Sequence, residues 1–272
     1  MTDDDEAATP GVRTLRDLLD LRSEGGDAFL APMTTSWGPR LFGGLVAAQS
    51  LGAACRTVQP DHRPQSCHAY FILPGDPEQP LRLDVERTRD GRSFTTRRVV
   101  ASQAGAAIFE MSASFHRDEP GVDWSTPMPA DIPGPDELTT FRGPDGRPSV
   151  GHFEMRPVGR SPVPYAVLPY WVRTIEQVPD DPALTSCILA YLSDMGILAE
   201  ARPPGGEPIG SATSLDHAIW FHRPYRPGEW HVFSATSRSN RGGRGLAVGG
   251  LHHRDGSLVA TIVQEGLFRP PR

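Results

Sequence analysis

The sequence predicts an α+β protein in which one unit, a helix followed by an antiparallel sheet wrapped around it, occurs twice in a single chain. Three observations predict it. Segments of alternating polarity, separated by short turn signals, recur in both halves of the 272 residues, as expected of half-buried strands. Each half carries one helix with readable start or burial signals. Landmarks also repeat in order: HAYF (68–71) matches HAIWF (217–221), and the closing SASFHR and EGLFRP match on Phe115 and Phe268. Self-similarity on the scale of a domain reads as a duplicated unit.

In the first unit, GGLVAAQSLGAAC (43–55) is small and apolar nearly all round, so it is expected to be buried on every side by its sheet. LRLDVERT (81–88) alternates, RDGR (89–92) is a turn signal, and SFTTRRVVAS and AAIFEMSASFH continue as strands of a meander. Residues 118–149 are rich in Pro, Gly and Asp without sustained period, which reads as a linker. The expected division is therefore 1–117, an N-terminal scaffold unit; 118–149, the linker; and 150–272, a C-terminal unit.

In the second unit Asp181 can cap a helix, Pro182 suits its first position and Gly196 its stop. Leu184, Ile188, Tyr191 and Met195 form its apolar stripe. The strands WHVFSATS, RGLAVGGLHH and LVATIVQEGLF follow, joined by NRGG (240–243) and RDGS (254–257).

Composition narrows the function. A formal net charge of −6 disfavours a nucleic-acid partner. The 27 basic residues are all arginine, which excludes Schiff-base and Walker-lysine chemistry. No apolar run is expected to span a membrane, and the acidic MTDDDEAATPG lacks a secretory signal's positive region. A cytoplasmic protein is expected. Cys55, Cys67 and Cys187 are odd in number and dispersed, so they read as buried thiols and not as a disulfide framework or metal site.

Three residues stand against their surroundings. Asp194 sits in the last helical turn, on the edge of the buried stripe, where both burial and the helix dipole oppose a charge. Ser214 opens a strand after ARPPGGEPIG, and Gln264 is an amide in the otherwise apolar ATIVQEGLF. Counting back from the repeat anchors places Gln264 opposite Met111, Ser214 opposite Gln65, and Asp194 near Gln49 or Ser50. Only the second unit then holds carboxylate, hydroxyl and amide together, implying one site per chain. Such a trio can activate and orient a water against an electrophilic carbonyl. A serine nucleophile is disfavoured because no G-x-S-x-G elbow occurs. Asp216 and His217 alternate in direction along the strand and so cannot both reach Ser214; they read as strand-bracing groups. His217 and His222 are poor metal ligands at their spacing, and no metal is expected.

LFGGLVAAQSL, HAYFILPGD, RDGRSFTTRRV, LAYLSDMGIL, SLDHAIWFHRP and VQEG together resemble the acyl-CoA thioesterase II family, in order from about residue 14 to 270. The resemblance implies a double hotdog: two antiparallel sheets, each around a central helix, joined side by side within one chain. It implies hydrolysis of acyl-CoA to free fatty acid and CoA, with no cofactor. It places the family's catalytic Asp on Asp194, its hydroxyl on Ser214, which is Thr in some members, and its Gln on Gln264. Gly43 and Gly44 at a helix start are candidates for stabilising an oxyanion, though close helix–sheet packing is the better explanation of glycine there. Arg92, Arg97, Arg241 and Arg244 are candidates for the anionic CoA. A double-hotdog enoyl-CoA hydratase would need a Gly-Asp/Asn-Pro-x-His helix segment that is absent here, and a non-catalytic acyl-CoA-binding protein would not need the trio. Assembly into a homo-oligomer is compatible with exposed sheet edges.

Overall fold

A computed structural model describes residues 14–32, 40–142, 151–159, 169–202 and 209–271. Its elements in chain order are α1 (Leu15–Leu18), β1 (Arg22–Gly25), β2 (Ala28–Ala31), α2 (Gly43–Cys55), β3 (His62–Phe71), β4 (Leu81–Asp90), β5 (Phe94–Gln103), β6 (Ala106–Arg117), β7 (Phe153–Pro157), β8 (Tyr170–Thr174), α3 (Pro182–Ser193), α4 (Ile197–Glu200), β9 (Ser211–Phe221), β10 (His231–Arg241), β11 (Arg244–His253) and β12 (Leu258–Arg269).

All twelve strands form one antiparallel sheet in the order β1-β2-β4-β5-β6-β3-β9-β12-β11-β10-β8-β7. The order reads the same from either end when each first-half strand is exchanged for its second-half counterpart. This is the double hotdog, with the two units joined along β3 and β9, where Ala69 faces His217 and Cys67 faces Ile219.

Two expectations about the sheet need correcting. The units are not simple meanders, because β3 crosses over and pairs with β6 instead of β4. Each unit also begins with a short hairpin, β1–β2 or β7–β8. β1 reads RSEG and is exposed throughout, so it has no buried alternation to announce it. Such short polar strands suit sheet edges, where they discourage pairing with another chain.

The expected helices are present. Ten residues of α2 are buried, as its all-round apolar surface requires. On α3 the Asp181 side chain accepts from the Ala183 and Leu184 N–H groups, with Pro182 in the first turn. Gly196 adopts φ 93° between α3 and α4, a left-handed conformation that favours glycine. Pro182–Glu200 is, contrary to expectation, a 19-residue stretch apolar enough to cross a membrane by composition, with mean hydropathy 1.4. Here the turn at Gly196 interrupts it, and α3 serves as a buried core helix.

The two helices run antiparallel, since Gly43 meets Asp194 at one end while Gly52 approaches Cys187 toward the other. They touch closely: a Cβ on Gly44 would overlap the Tyr191 carbonyl oxygen. Residues 118–142 form no strand, and Met128, Ile132 and Leu138 lie on Trp171, Trp230 and Val232. The segment read as a linker therefore partly packs on the second unit; residues 143–149 of it fall outside the described residues.

Arg97, a candidate for contact with the anionic CoA, is instead fully buried. Its guanidinium donates to Thr57 Oγ1 and O, to the Arg89 and Thr96 carbonyls, and to Asp90, tying β5 to the end of α2. Every N–H is used within the fold. Arg97→Met is therefore expected to destabilise the protein by about 2–4 kcal/mol, because it leaves these acceptors unpaired. Denaturant unfolding measures the loss, and substrate affinity of the folded variant should be unchanged.

Candidate active site

Asp194, Ser214 and Gln264 come from three separate elements and converge. Gln264 Nε2 donates to Asp194 Oδ1 at 3.0 Å and to Ser214 Oγ at 2.7 Å. Both amide hydrogens are thereby used. Gln264 is fully buried, so its carbonyl also needs a partner, and His217 Nδ1 supplies one at 2.6 Å.

A β-bulge makes the convergence possible. Between β12 and β9, Gln264 pairs with His217, Glu265 with Asp216, and Gly266 with Ser214, leaving Leu215 as the extra residue. Strict alternation would put Ser214 and His217, three positions apart, on opposite faces. The extra residue returns Ser214 to the helix-facing side. Asp216 points away and accepts from Glu265 N–H at 3.1 Å, so it does brace the strand. His217 faces inward and braces β9 against β12 by holding the glutamine.

The same bulge occurs in the first unit, where Pro64 pairs with Phe115 and Ser66 with Ser114. Gln65 is thus the counterpart of Leu215, and Pro64 that of Ser214. Continuing along the ladders, Cys67 and its partner Ala113 stand where His217 and Gln264 stand in the second unit. This corrects the sequence alignment, which matched Ser214 with Gln65, Gln264 with Met111 and His217 with His68. His68 points outward and meets Trp220 edge-on. Asp194 is the C-cap of α3, and the C-cap of α2 is Arg56, so neither Gln49 nor Ser50 is its counterpart. The single-site asymmetry survives with different residues.

Asp194 is not a solvated helix end. Protein crowds it on most sides while one side opens to a cleft, and its pKa is raised to about 6, chiefly by burial. The Gln264 amide and the Gly44 N–H oppose that rise. Gly44 lies in the first turn of α2, whose positive dipole end offsets the unfavourable end of α3. Gly43 leaves the necessary space: its Cβ would stand 2.8 Å from Asp194 Oδ2 and 2.7 Å from the Phe71 ring.

The cleft, about 520 Å³, is lined by both acidic and hydroxyl members of the trio and by Leu41, Val46, Phe71, Ile108 and Leu198. It combines an apolar wall with a few convergent polar groups, the usual make-up of a small-molecule site. A depression of about 600 Å³ around Glu154, Arg173 and Glu176 holds none of the trio, so chemistry and not size locates the site. Ser214 has no histidine to activate it, since the two His217 nitrogens meet Gln264 and Ser193. That geometry disfavours a serine nucleophile.

Among the other candidates, Gly43 lines the cleft and Gly44 serves Asp194. Arg92 is exposed in the β4–β5 turn and Arg241 at the end of β10, and Arg244 is paired with Glu265 at 3.1 Å; none lines the cleft. Arg40 does, although it is not among the arginines the sequence singles out. Its place three residues before the Gly43 helix start was the available signal.

Comparison with known proteins agrees with the fold. Residues 31–116 match the family described as acyl-CoA thioesterase N-terminal domain, and residues 165–267 match acyl-CoA thioesterase. Acyl-CoA thioesterase 2 of Haemophilus influenzae is 35% identical over 253 residues, covering 85% of this chain and 88% of the relative. Acyl-coenzyme A thioesterase 8 of Homo sapiens is 35% identical over 265 residues, covering 86% and 82%. The crystal structure of acyl-CoA thioesterase II TesB2 from Mycobacterium marinum superposes with a TM-score of 0.81 at 37% identity, covering 94% and 97%. Fold and relatives together define a thioester hydrolase of the double-hotdog class. The chain belongs to the acyl-CoA thioesterase II family.

The raised pKa of Asp194 has a consequence for stability. Its ordinary value of 3.8 rises to about 6 on folding, so the folded chain holds the proton more tightly, and this group's contribution to stability falls as pH rises between those values. Asp194→Asn removes that loss. After allowance for the open side, the variant should be more stable than wild type by about 1–2 kcal/mol near pH 8 and gain nothing near pH 3.5. Denaturant unfolding of both proteins at the two pH values measures it.

Proposed function

We propose that the chain hydrolyses fatty acyl-CoA to free fatty acid and CoA by direct attack of a water that Asp194, Ser214 and Gln264 hold and activate. One observation carries the reading: a single buried amide, Gln264 Nε2, bridges the carboxylate and the hydroxyl at the wall of an apolar cleft.

In this reading Asp194 accepts a proton from the water as its oxygen attacks the thioester carbonyl. Because Ser214 Oγ accepts from Gln264, its own O–H is left to orient the water or the substrate. The carbonyl oxygen becomes an oxyanion beside the first turn of α2, where the Gly43 N–H lies outside the helix's own hydrogen-bond pattern. Collapse of the tetrahedral intermediate breaks the C–S bond, and Asp194 returns the proton to the departing CoA sulfur. The apolar cleft residues receive the acyl chain, and Arg40 contributes positive charge toward the anionic CoA. The first unit, residues 1–117, serves as scaffold and supplies the α2 terminus, while residues 150–272 carry the trio.

Family membership favours this over the hydratase and the non-catalytic binding protein. The test is free-thiol release from a chain-length series of acyl-CoAs. Wild type should release thiol, and Asp194→Asn should lose roughly 10²-fold or more in turnover while remaining folded. The wild-type kcat/KM should fall on the acid side of about pH 6, the value to which the carboxyl is raised, because the base must be ionised. Wild-type-like turnover by Asp194→Asn, or no such acid limb, would count against Asp194 as the base.

A further inference from the structure

We propose that Ser193 and His217 form a buried relay that fixes which end of the Gln264 amide faces Asp194 and Ser214, making both of them positioning residues for hydrolysis. The proposal rests on the reading of Asp194, Ser214 and Gln264 above, and neither residue is assigned a role by it.

The need for a relay follows from the shape of the side chain. A carboxamide turned by half a revolution fills nearly the same space, with its nitrogen and oxygen exchanged. Turned that way, Gln264 would present an oxygen to the Asp194 carboxylate and to Ser214. The hydroxyl is indifferent to the exchange, because it can donate as well as accept. An ionised Asp194 opposes the exchange, but Asp194 carries a proton during turnover and is then as indifferent as the hydroxyl, so the contact on the far side of the amide must hold the orientation through the cycle.

That contact is His217 Nδ1, 2.6 Å from Gln264 Oε1. It discriminates only as an N–H donor, and a neutral imidazole has a single N–H. Burial lowers the His217 pKa to about 4, so the ring is neutral near pH 7 and the partner of its second nitrogen selects the tautomer. Ser193 Oγ lies 2.7 Å from Nε2. Its hydroxyl hydrogen can serve Nε2, with the Ala190 carbonyl at 2.9 Å as alternative acceptor, leaving the imidazole hydrogen on Nδ1. Ser193, His217 and Gln264 are all buried, and the strand partner of His217 on β3 is Ala69, which offers no competing polar side chain.

The first unit supplies an independent observation. At the positions equivalent to His217 and Gln264 it has Cys67 and Ala113, which pair across the ladder in the same way. The histidine occurs where there is a glutamine to orient and not in the duplicate that lacks one. A histidine needed merely to fill the space between helix and sheet would not be tied to that difference.

The test measures kcat and KM on one saturated acyl-CoA that wild type hydrolyses, for His217→Leu, His217→Asn, Ser193→Ala and Gln264→Ala, and for His217→Leu combined with Gln264→Ala. His217→Leu should lower kcat on the order of 10-fold or more while KM changes less than about 3-fold. Asn places an amide N–H close to where Nδ1–H stood, so His217→Asn should recover most of kcat. Ser193→Ala should give a smaller kcat loss, and it keeps the test available if His217→Leu fails to fold. With glutamine absent, the relay has nothing to orient, and His217→Leu should cost less than about 2-fold further.

Equal impairment of the Leu and Asn variants, a loss confined to KM, or unchanged kcat in Ser193→Ala would overturn the relay. So would a full histidine effect in the Gln264→Ala background, which would leave the trio itself standing. Wild-type turnover by Gln264→Ala would instead overturn the reading of the trio, and the relay with it.

Discussion

A carboxylate at the C-terminal end of a buried helix is tolerable in this protein because a second helix presents its N-terminus to the same point. The antiparallel contact of α2 and α3 brings the Gly44 N–H to Asp194, so peptide dipoles of opposite sense meet there. The glycines follow from that contact, since a side chain at Gly44 would overlap the Tyr191 carbonyl and one at Gly43 would crowd Asp194. Burial still raises the carboxyl toward neutrality, giving a group poised between proton acceptor and proton donor.

The duplicated architecture sets up this contact twice, once at each end of the helix pair. At the other end Arg56 caps α2 in the place of Asp194, and its guanidinium is engaged with the Leu21 carbonyl and Asp20. A smaller cleft of about 330 Å³ lies there, lined in part by Cys55, Arg56, Asp181 and Cys187. The sheet repeats its bulge as well, with proline at 64 where the second unit has Ser214. The backbone scaffold for a site is therefore present in both units, while the carboxylate, hydroxyl and amide are present in one.

Much of this was legible in the sequence. The span of α2 and the cap of α3 follow from composition and from Asp181-Pro182, because local preferences and burial agree there. Asp194, Ser214 and Gln264 could be singled out as polar groups placed against an apolar pattern. The bulge at Leu215 could not be read, since one extra residue leaves no clear mark in the alternation, and it decides which face Ser214 occupies. The role of His217 was hidden for the same reason. The repeat alignment slipped because it matched like residues, His68 with His217, where the ladders match positions. Arg97 looked like a candidate for the anionic CoA because sequence shows a charge and not the Thr57 and Asp90 partners that bury it. The edge strand β1 was missed because its four exposed residues have no buried face to create a period, and β2, β7 and β8 are too short, at four or five residues, for their burial to establish one.

The central claim is that Asp194 directs a water and does not itself attack the substrate. A single-turnover reaction in heavy-oxygen water, with enzyme in excess over acyl-CoA, tests it most directly. The labelled oxygen should appear in the fatty acid on the first turnover, and the peptide containing Asp194 should remain unlabelled by mass spectrometry. Heavy oxygen in the Asp194 carboxyl group would show that an acyl-aspartyl anhydride had formed and been hydrolysed, and would contradict the account.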